Sequence, residues 1–158
     1  MRLTEQHLSV LFNIKTKVLD KKTECSGAIF KDGSFSFSCG DKHTARVDDS
    51  SDFIWHSHPS GKLMMSFDDW LCFFISKAIY AALFANDRIL VVKKTDFHLE
   101  LHERLYQTAV EFKGFSSILY RNYISILDDY FGIEIEDLKD DEICLELFRV
   151  EYQVIDNK

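Results

Sequence analysis

Proline and glycine are scarce in this sequence, which has one proline and six glycines among 158 residues. No repeat, low-complexity tract or Pro/Ser-rich linker divides the chain. A length of 158 residues suits one domain and leaves little room for a second. We therefore expect a single domain over residues 1–158, with a core over about 1–130 and a C-terminal helical extension over about 131–158.

Cysteine is also sparse and irregularly spaced. The four cysteines contain no CxxC pair and lie far apart, at Cys25, Cys39, Cys72 and Cys144. This spacing excludes a zinc ribbon and a CxxC redox motif, and a chain of this size does not need disulfide bonds to fold. We therefore expect four reduced thiols in an intracellular, cytoplasmic protein.

Basic charge and long apolar runs are missing as well. The net charge is −7 and no run of Lys or Arg exceeds two residues, which argues against nucleic-acid binding. Glu5, Gln6 and His7 interrupt the N-terminus, so it lacks the apolar core of a signal peptide. The most apolar stretch, residues 70–85, contains Lys77 and is too short to span a bilayer. We expect neither a nucleic-acid partner nor a membrane association.

The apolar residues that are present, 46% of the chain with 14 Phe, suffice for a packed core. Their spacing predicts a helix after a Thr4 cap and a hairpin around Gly33. The predicted strands are Cys25–Phe30, Ser34–Cys39, Asp52–Trp55, Arg88–Val92 and a half-exposed Asp96–Leu101. The predicted helices after the first are Ser66–Phe84, Glu103–Phe131 with an interruption near Gly114, and Asp137–Val154, the last with partial strand as the alternative. The order indicates an α/β or α+β fold with a central mixed sheet flanked by helices.

One segment carries residues suited to metal chemistry. His56 and His58 lie two apart, so in an extended chain both side chains face the same way. Pro59, the one proline of the chain, keeps His58 out of the helical region. Ser66 and Asp69 have the spacing of a helix capping box. Because that helix begins soon after the histidines, Asp69 can supply a third ligand and leave one position of a zinc ion open, as in catalytic sites.

This segment resembles the JAMM motif of the MPN-domain zinc metalloproteases at every fixed position: His56-Ser57-His58-Pro59, six residues, then Ser66-x-x-Asp69. The family includes deubiquitinating isopeptidases and prokaryotic or viral relatives. The resemblance implies a cytidine-deaminase-like MPN/JAMM fold and one zinc per chain, held by the two histidines and Asp69. It also requires an upstream glutamate at the start of a strand, usually followed three residues later by glycine. Glu24 meets this requirement, whereas the alternative, Glu5, lacks the glycine.

The resemblance assigns a role to each matching residue. Glu24 would accept a proton from the attacking water and return it to the leaving amine. Ser66 would donate a hydrogen bond to the oxyanion of the tetrahedral intermediate. The expected reaction is hydrolysis of the amide bond after the C-terminal tail of ubiquitin or a ubiquitin-like protein. The polar stretch Lys42–Ser51 is expected to line the groove for that tail.

Three other functions remain open at this stage. The chain is alternatively a JAMM peptidase or amidase on a substrate without ubiquitin, or a scaffold module that retains the motif without catalysis. A RadC-like role near DNA is disfavoured by the net charge of −7. A second metal site at His98, Glu100 and His102 would require these residues to share one face of a strand, and a solvated strand face is the simpler interpretation.

Overall fold

The computed structural model describes residues 1–40, 51–135 and 141–156, with the backbone alone for 141–143. The chain forms two compact units. The first, here the sheet unit, comprises Met1–Met64, Lys77–Lys93 and Glu151–Lys158. The second, here the helical unit, comprises Met65–Ser76 and Lys94–Val150. The assignment of residues 1–158 to one domain remains a prediction.

The sheet unit contains six strands in one sheet. They are β1 (Cys25–Ile29), β2 (Ser38–Cys39), β3 (Phe53–Ser57), β4 (Tyr80–Ala85), β5 (Arg88–Lys93) and β6 (Glu151–Ile155). Their order is β2-β1-β3-β4-β5-β6. The β3–β4 pair is parallel and the other four pairs are antiparallel. The predicted α+β class with a mixed sheet is confirmed at this level.

Helix α1 (Glu5–Val18) completes the sheet unit. The Thr4 hydroxyl accepts a hydrogen bond from the His7 backbone at 3.1 Å, and the His7 ring accepts one from the Thr4 backbone at 3.4 Å. Both bonds satisfy N–H groups that the first turn of a helix leaves unpaired. The helix belongs to the same buried apolar cluster as Trp55 and Phe84 of the sheet. The predicted Thr4 cap is confirmed.

The predicted hairpin forms, but its second strand is shorter than expected. Gly33 has φ of 85°, a left-handed conformation that glycine adopts at little cost. The Gly33 N–H donates to the Phe30 carbonyl at 3.0 Å and closes the turn. Beyond the turn, an isolated bridge joins Ile29 to Phe35, and regular pairing resumes at β2. The prediction of one strand over Ser34–Cys39 was therefore too long.

The prediction of one helix over Ser66–Phe84 was wrong in its second half. Helix α2 (Phe67–Ile75) ends at Ser76, and Tyr80–Ala85 is strand β4. Strand β4 pairs on one edge with β3 and on the other with β5, and five of its six residues are buried. A central strand buried in this way has apolar residues in succession, so its sequence resembles the end of a buried helix.

The helical unit also contains a short 3-10 helix (Asp96–His98), α3 (Leu99–Glu111), α4 (Ser116–Phe131) and α5 (Asp141–Leu147). The predicted interruption near Gly114 is confirmed, with φ of 89° at that glycine. Aromatic rings form much of the interior of this unit. Ring contacts link Phe74 to Trp70, His98, Phe131 and Phe148, with centroids 5.5–5.7 Å apart.

Two further predictions from apolar alternation need correction. Asp96–Leu101 is helical because the Thr95 N–H donates to the His98 ring at 3.0 Å and starts the 3-10 turn. The preferred helix over Asp137–Val154 is only partly present, since α5 gives way to β6 after Arg149, which has φ of 54°. For the described part of this segment, the alternative prediction of a helix followed by a strand is therefore the better one.

The prediction of four reduced cysteines was wrong, because Cys25 and Cys39 form a disulfide. They are directly paired across β1 and β2, with Cα atoms 4.0 Å apart. Within the described ranges, no helix has both the length and the apolarity to cross a membrane. The predicted groove at Lys42–Ser51 lies, except for Ser51, outside the described residues.

Candidate metal centre

Strand β3 and the residue after it carry two histidines, His56 and His58, with Ser57 between them. His56 pairs with Ser26 of β1 and with Leu83 of β4. The His58 N–H donates to the Phe84 carbonyl at 2.8 Å, which continues the pairing beyond the end of the strand. Because side chains alternate along an extended chain, His56 and His58 face one way. The central position of β3 in the sheet therefore fixes both histidines.

Ser57 faces the opposite way and ties β3 to β1. It is buried, and its hydroxyl accepts a hydrogen bond from the Cys25 N–H at 2.9 Å. Sequence reasoning did not identify Ser57 as a site residue, although its place between the two histidines was visible. Its hydrogen bond to Cys25 anchors the beginning of β1 beside the segment that carries His56 and His58.

The turn after β3 orients His58. Its carbonyl accepts from the Gly61 N–H at 3.0 Å, with Pro59 in the second position of the turn, where proline is favoured. The His58 Nδ1 lies 3.1 Å from the Lys62 carbonyl oxygen. A carbonyl can only accept, so Nδ1 is the donor in this hydrogen bond. This hydrogen bond selects the tautomer that can bind a metal through Nε2.

Asp69 and Ser66 occupy the first turn of α2, as predicted. The Ser66 hydroxyl accepts from the Asp69 N–H at 3.2 Å, and the Asp69 carboxylate accepts from the Ser66 N–H at 2.8 Å. The capping box is therefore confirmed. The Ser66–Asp69 bond uses Oδ2, and a carboxylate has a second oxygen with which it can bind a cation.

His56, His58 and Asp69 form a group that could hold a metal ion. One ligand atom from each residue lies within 4.8 Å of the ligand atoms of the other two, and all three side chains are half-buried. Two imidazole nitrogens and one carboxylate oxygen suit zinc, which lies about 2.0–2.2 Å from such donors. The three ligand atoms would therefore move slightly closer together on binding the ion. Three protein donors, the number found among the described residues, are typical of catalytic zinc sites.

Glu24 lies at the register position across from His58. The antiparallel pairing places Ser26 opposite His56, and extending that register by two residues reaches Glu24 and His58. Residues directly opposite in an antiparallel pair share a face of the sheet. Glu24 is exposed. Its competitor Glu5 is the first residue of α1 and lies outside this register.

Gly27 has a structural reason to follow Glu24 at this spacing. A Cβ atom built at Gly27 would lie 2.0 Å from the Ser36 carbonyl oxygen and 2.9 Å from the Trp55 indole nitrogen. Any larger residue would push the chain after the hairpin turn away from β1. Glycine here is needed for the close approach of the backbone, rather than for a turn.

His98, Glu100 and His102 do not form the second site that their spacing allowed. They lie on the 3-10 helix and α3 rather than on one face of a strand. The buried His98 ring bonds with both nitrogens: Nε2 donates to the Phe148 carbonyl at 2.6 Å, and Nδ1 accepts from the Thr95 N–H. Burial lowers the pKa of His98 below its ordinary 6.5. This histidine is a neutral structural residue.

A surface pocket adjoins His58 within the sheet unit. Pro59, Phe84 and Asn86 line it together with Val18 at the end of α1 and with Lys21 just beyond that helix. Asn86 adopts φ of 54°, and its side-chain amide reaches the space that a Cβ at Gly61 would occupy.

Comparisons with protein-family models, with curated proteins and with solved structures found no match for this chain.

Proposed function

We propose that this protein is a zinc-dependent amide hydrolase of the JAMM type. The observation that carries the proposal is the convergence of His56, His58 and Asp69, from two separate segments, on one group of potential ligand atoms. The resemblance of the same segments to the JAMM motif supports it. A half-buried group of two imidazoles and one carboxylate suits a catalytic ion better than a structural one, because structural zinc sites have four protein ligands.

The metal would be held by His56 and His58 through ring nitrogens and by Asp69 through a carboxylate oxygen. When bound, zinc supplies Lewis-acid chemistry, which makes water more acidic and polarises a carbonyl group. The Lys62 carbonyl keeps the proton of His58 on Nδ1, so this ligand needs no change of tautomer. The Ser66 N–H donates to the Asp69 carboxylate and thereby restrains its orientation.

Glu24 is the proton carrier in this proposal. Its carboxylate would accept a proton from the attacking water and return that proton to the nitrogen of the leaving amine. The support for this role is its position across from His58 and its exposure to solvent. A carboxylate buried elsewhere in the fold would be unable to reach both water and leaving group.

Ser66 would stabilise the oxyanion that forms as the amide carbonyl is attacked. Its oxygen accepts from the Asp69 N–H, which leaves its hydroxyl proton available to donate. Ser66 is exposed at the N-terminus of α2, where unpaired N–H groups also favour negative charge. Helix capping and oxyanion stabilisation are therefore compatible in one residue.

The proposed substrate is a conjugate of ubiquitin or a ubiquitin-like protein, cleaved after the extended C-terminal tail. This part of the proposal rests on the JAMM resemblance. A ubiquitin-like tail is long and flexible, so it can enter a site flanked by a sheet by adding to an exposed strand. Cleavage of another amide, such as a short peptide, is the competing activity within the same mechanism.

One experiment separates these functions. The purified protein is incubated with a panel of ubiquitin-like conjugates and a short unconjugated peptide, with added zinc or with chelator. Cleavage of a conjugate that chelator abolishes supports the proposal. Cleavage of the peptide alone would show that the proposed substrate is wrong while the proposed mechanism stands. A protein that binds zinc and cleaves none of these is a scaffold, and the proposed hydrolase activity is then wrong.

A further inference from the structure

The Cys25–Cys39 disulfide lies next to the proposed proton carrier. Cys25 is the first residue of β1 and directly follows Glu24, while Cys39 is the last residue of β2. The bridge spans 14 residues of sequence and joins two directly paired positions. It is therefore a covalent link at the point where the chain turns from Glu24 into the sheet.

Among the residues that the structure describes, this corner of the sheet is held mainly by backbone hydrogen bonds. Strand β2 has two residues, both exposed, and pairs with β1 at two positions. The Gly40 N–H donates to the Glu24 carbonyl at 3.1 Å. On the other side, the Cys25 N–H donates to the Ser57 hydroxyl at 2.9 Å, between the two histidines of β3. Exposed backbone hydrogen bonds of this kind open readily when nothing else restrains them.

We infer that the Cys25–Cys39 disulfide is a redox-reversible clamp that positions Glu24 across from His58. The inference rests on the proposed function, in which Glu24 carries the proton. The closed disulfide fixes β2 against β1 and thereby holds the carbonyl of Glu24 to Gly40. Once the disulfide is opened, the exposed backbone hydrogen bonds between the Glu24 segment and β2 open more often, and the neighbouring bond from Cys25 to Ser57 opens with them.

The two sulfur atoms differ in their access to reductant. Cys25 is 1% exposed, whereas Cys39 is exposed. A thiolate of a small thiol would attack the Cys39 sulfur, forming a mixed disulfide and expelling the Cys25 thiolate, which takes up a proton. A second molecule of that thiol then displaces Cys39. In total two thiols are oxidised to their disulfide while both cysteines are reduced.

The test compares the oxidised full-length protein with the protein reduced by a phosphine, which avoids the zinc chelation expected of a dithiol. Hydrogen exchange is followed at the Cys25 and Gly40 amides, zinc is measured by elemental analysis, and kcat and KM are measured on ubiquitin with a C-terminal fluorogenic amide. Cys39→Ser mimics the reduced state. Cys72→Ser, an exposed cysteine outside the bridge, is the matched control.

We expect reduction to speed exchange at both amides by on the order of tenfold or more. It should lower kcat by a similar factor while KM and zinc content stay within about twofold, because a misplaced proton carrier slows the chemical step without weakening binding. Cys39→Ser should reproduce these values without reductant, and Cys72→Ser should behave as wild type. A uniform loss of zinc, binding and fold would instead show a merely structural bridge and overturn the inference.

Unchanged exchange at Cys25 and Gly40 after reduction overturns the inference whatever the activity. Faster exchange with unchanged kcat also overturns it, because Glu24 would then not depend on the bridge. Absence of hydrolysis in both redox states, with zinc bound, contradicts the proposed function and with it the positioning role. Hydrogen exchange at Cys25 and Gly40 then still shows whether the disulfide restrains β2 against β1, independently of the missing activity.

Discussion

At the scale of single residues, His58 is the proposed ligand that its surroundings control most closely. Its backbone N–H bonds to Phe84, its carbonyl accepts from Gly61, and its Nδ1 donates to Lys62. Each bond fixes a different degree of freedom: the position of the strand, the turn that follows, and the tautomer of the ring. These bonds would hold the ring in place for a metal ion, which lowers the cost of ordering a proposed ligand.

Replacing His58 by alanine should therefore remove the metal. We expect about one zinc per chain in the wild type and little in His58→Ala, because two remaining donors hold zinc poorly. Elemental analysis after dialysis measures this. His102→Ala is the matched control, since His102 lies on α3 outside the ligand group. Equal zinc in His58→Ala and His102→Ala would contradict the ligand assignment.

Glu24→Gln should abolish turnover and leave zinc content and fold unchanged, because an amide cannot accept the proton. Steady-state rates on the substrate found in the conjugate panel, together with zinc analysis, measure the effect. We expect a fall of about 10²–10⁴-fold, the usual contribution of a general base. Glu5→Gln, at the start of α1, should keep wild-type rates. The reverse result would move the role of base from Glu24 to Glu5.

The proposed ligands were predictable from the sequence because their spacing is local and their residue types are specific. His56, His58 and Asp69 lie within one short stretch, and the structure brings them together. The Lys62 carbonyl was not predictable, since a backbone carbonyl belongs to every residue and carries no signal of its own. The same holds for the register that places Glu24 across from His58, which depends on how β1 and β3 pair.

At the scale of helices, α1 and α2 begin with capping boxes of the same design. Thr4 and His7 exchange two hydrogen bonds at α1, and Ser66 and Asp69 do so at α2. The first box caps its helix and places the His7 ring against Phe53 and Tyr80, while the second also carries a proposed metal ligand and a proposed oxyanion donor. The pair provides an internal comparison between capping and catalysis.

Ser66→Ala and Thr4→Ala should each lower the free energy of unfolding by about 1 kcal/mol, because each removes a side-chain cap. Turnover should fall by on the order of 10²-fold in Ser66→Ala alone, since it also removes the oxyanion donor. Denaturant unfolding and steady-state kinetics measure the two effects separately. Equal stability losses with wild-type turnover in both variants would show that Ser66 only caps its helix.

The helices and strands with clear start signals were predictable, and those inside apolar runs were not. Thr4 and Ser66 marked their helices correctly, because a cap is a local hydrogen-bond pattern. Strand β4 was misread as helix because five of its six successive residues are buried. Such a strand lacks the alternation of apolar and polar residues that identifies strands. Leu99 and Leu101 suggested a strand, yet Leu99 is 68% exposed and Leu101 is buried on helix α3.

At the scale of the whole molecule, the features that link distant parts of the chain are the ones that the sequence shows least. The disulfide between Cys25 and Cys39 gives no local signal, because nothing in either residue's neighbourhood identifies its partner. His98 is a similar case. Its spacing to His102 suggested a metal ligand, whereas the structure bonds its ring to the carbonyl of Phe148, 50 residues away.

His98 should make the protein less stable in mild acid. Its ring accepts a hydrogen bond from the Thr95 N–H, and protonation would replace that acceptor with a donor. Burial lowers its pKa below 6.5 in the folded state, so the unfolded chain binds the proton first. The contribution to stability is then complete above about pH 6.5 and is lost as the pH falls below it, by about 1.4 kcal/mol for each unit of pKa difference.

The test measures the free energy of unfolding from pH 7.5 to pH 5 in the presence of chelator, for the wild type and for His98→Gln. Glutamine can accept from Thr95 and donate to Phe148 but does not titrate. We expect the wild type to lose more stability than His98→Gln over this range, and the difference isolates His98 because the two proteins differ at no other residue. Parallel curves for the two proteins would show that the buried ring tolerates a second proton, and the neutral structural role assigned to His98 would be wrong.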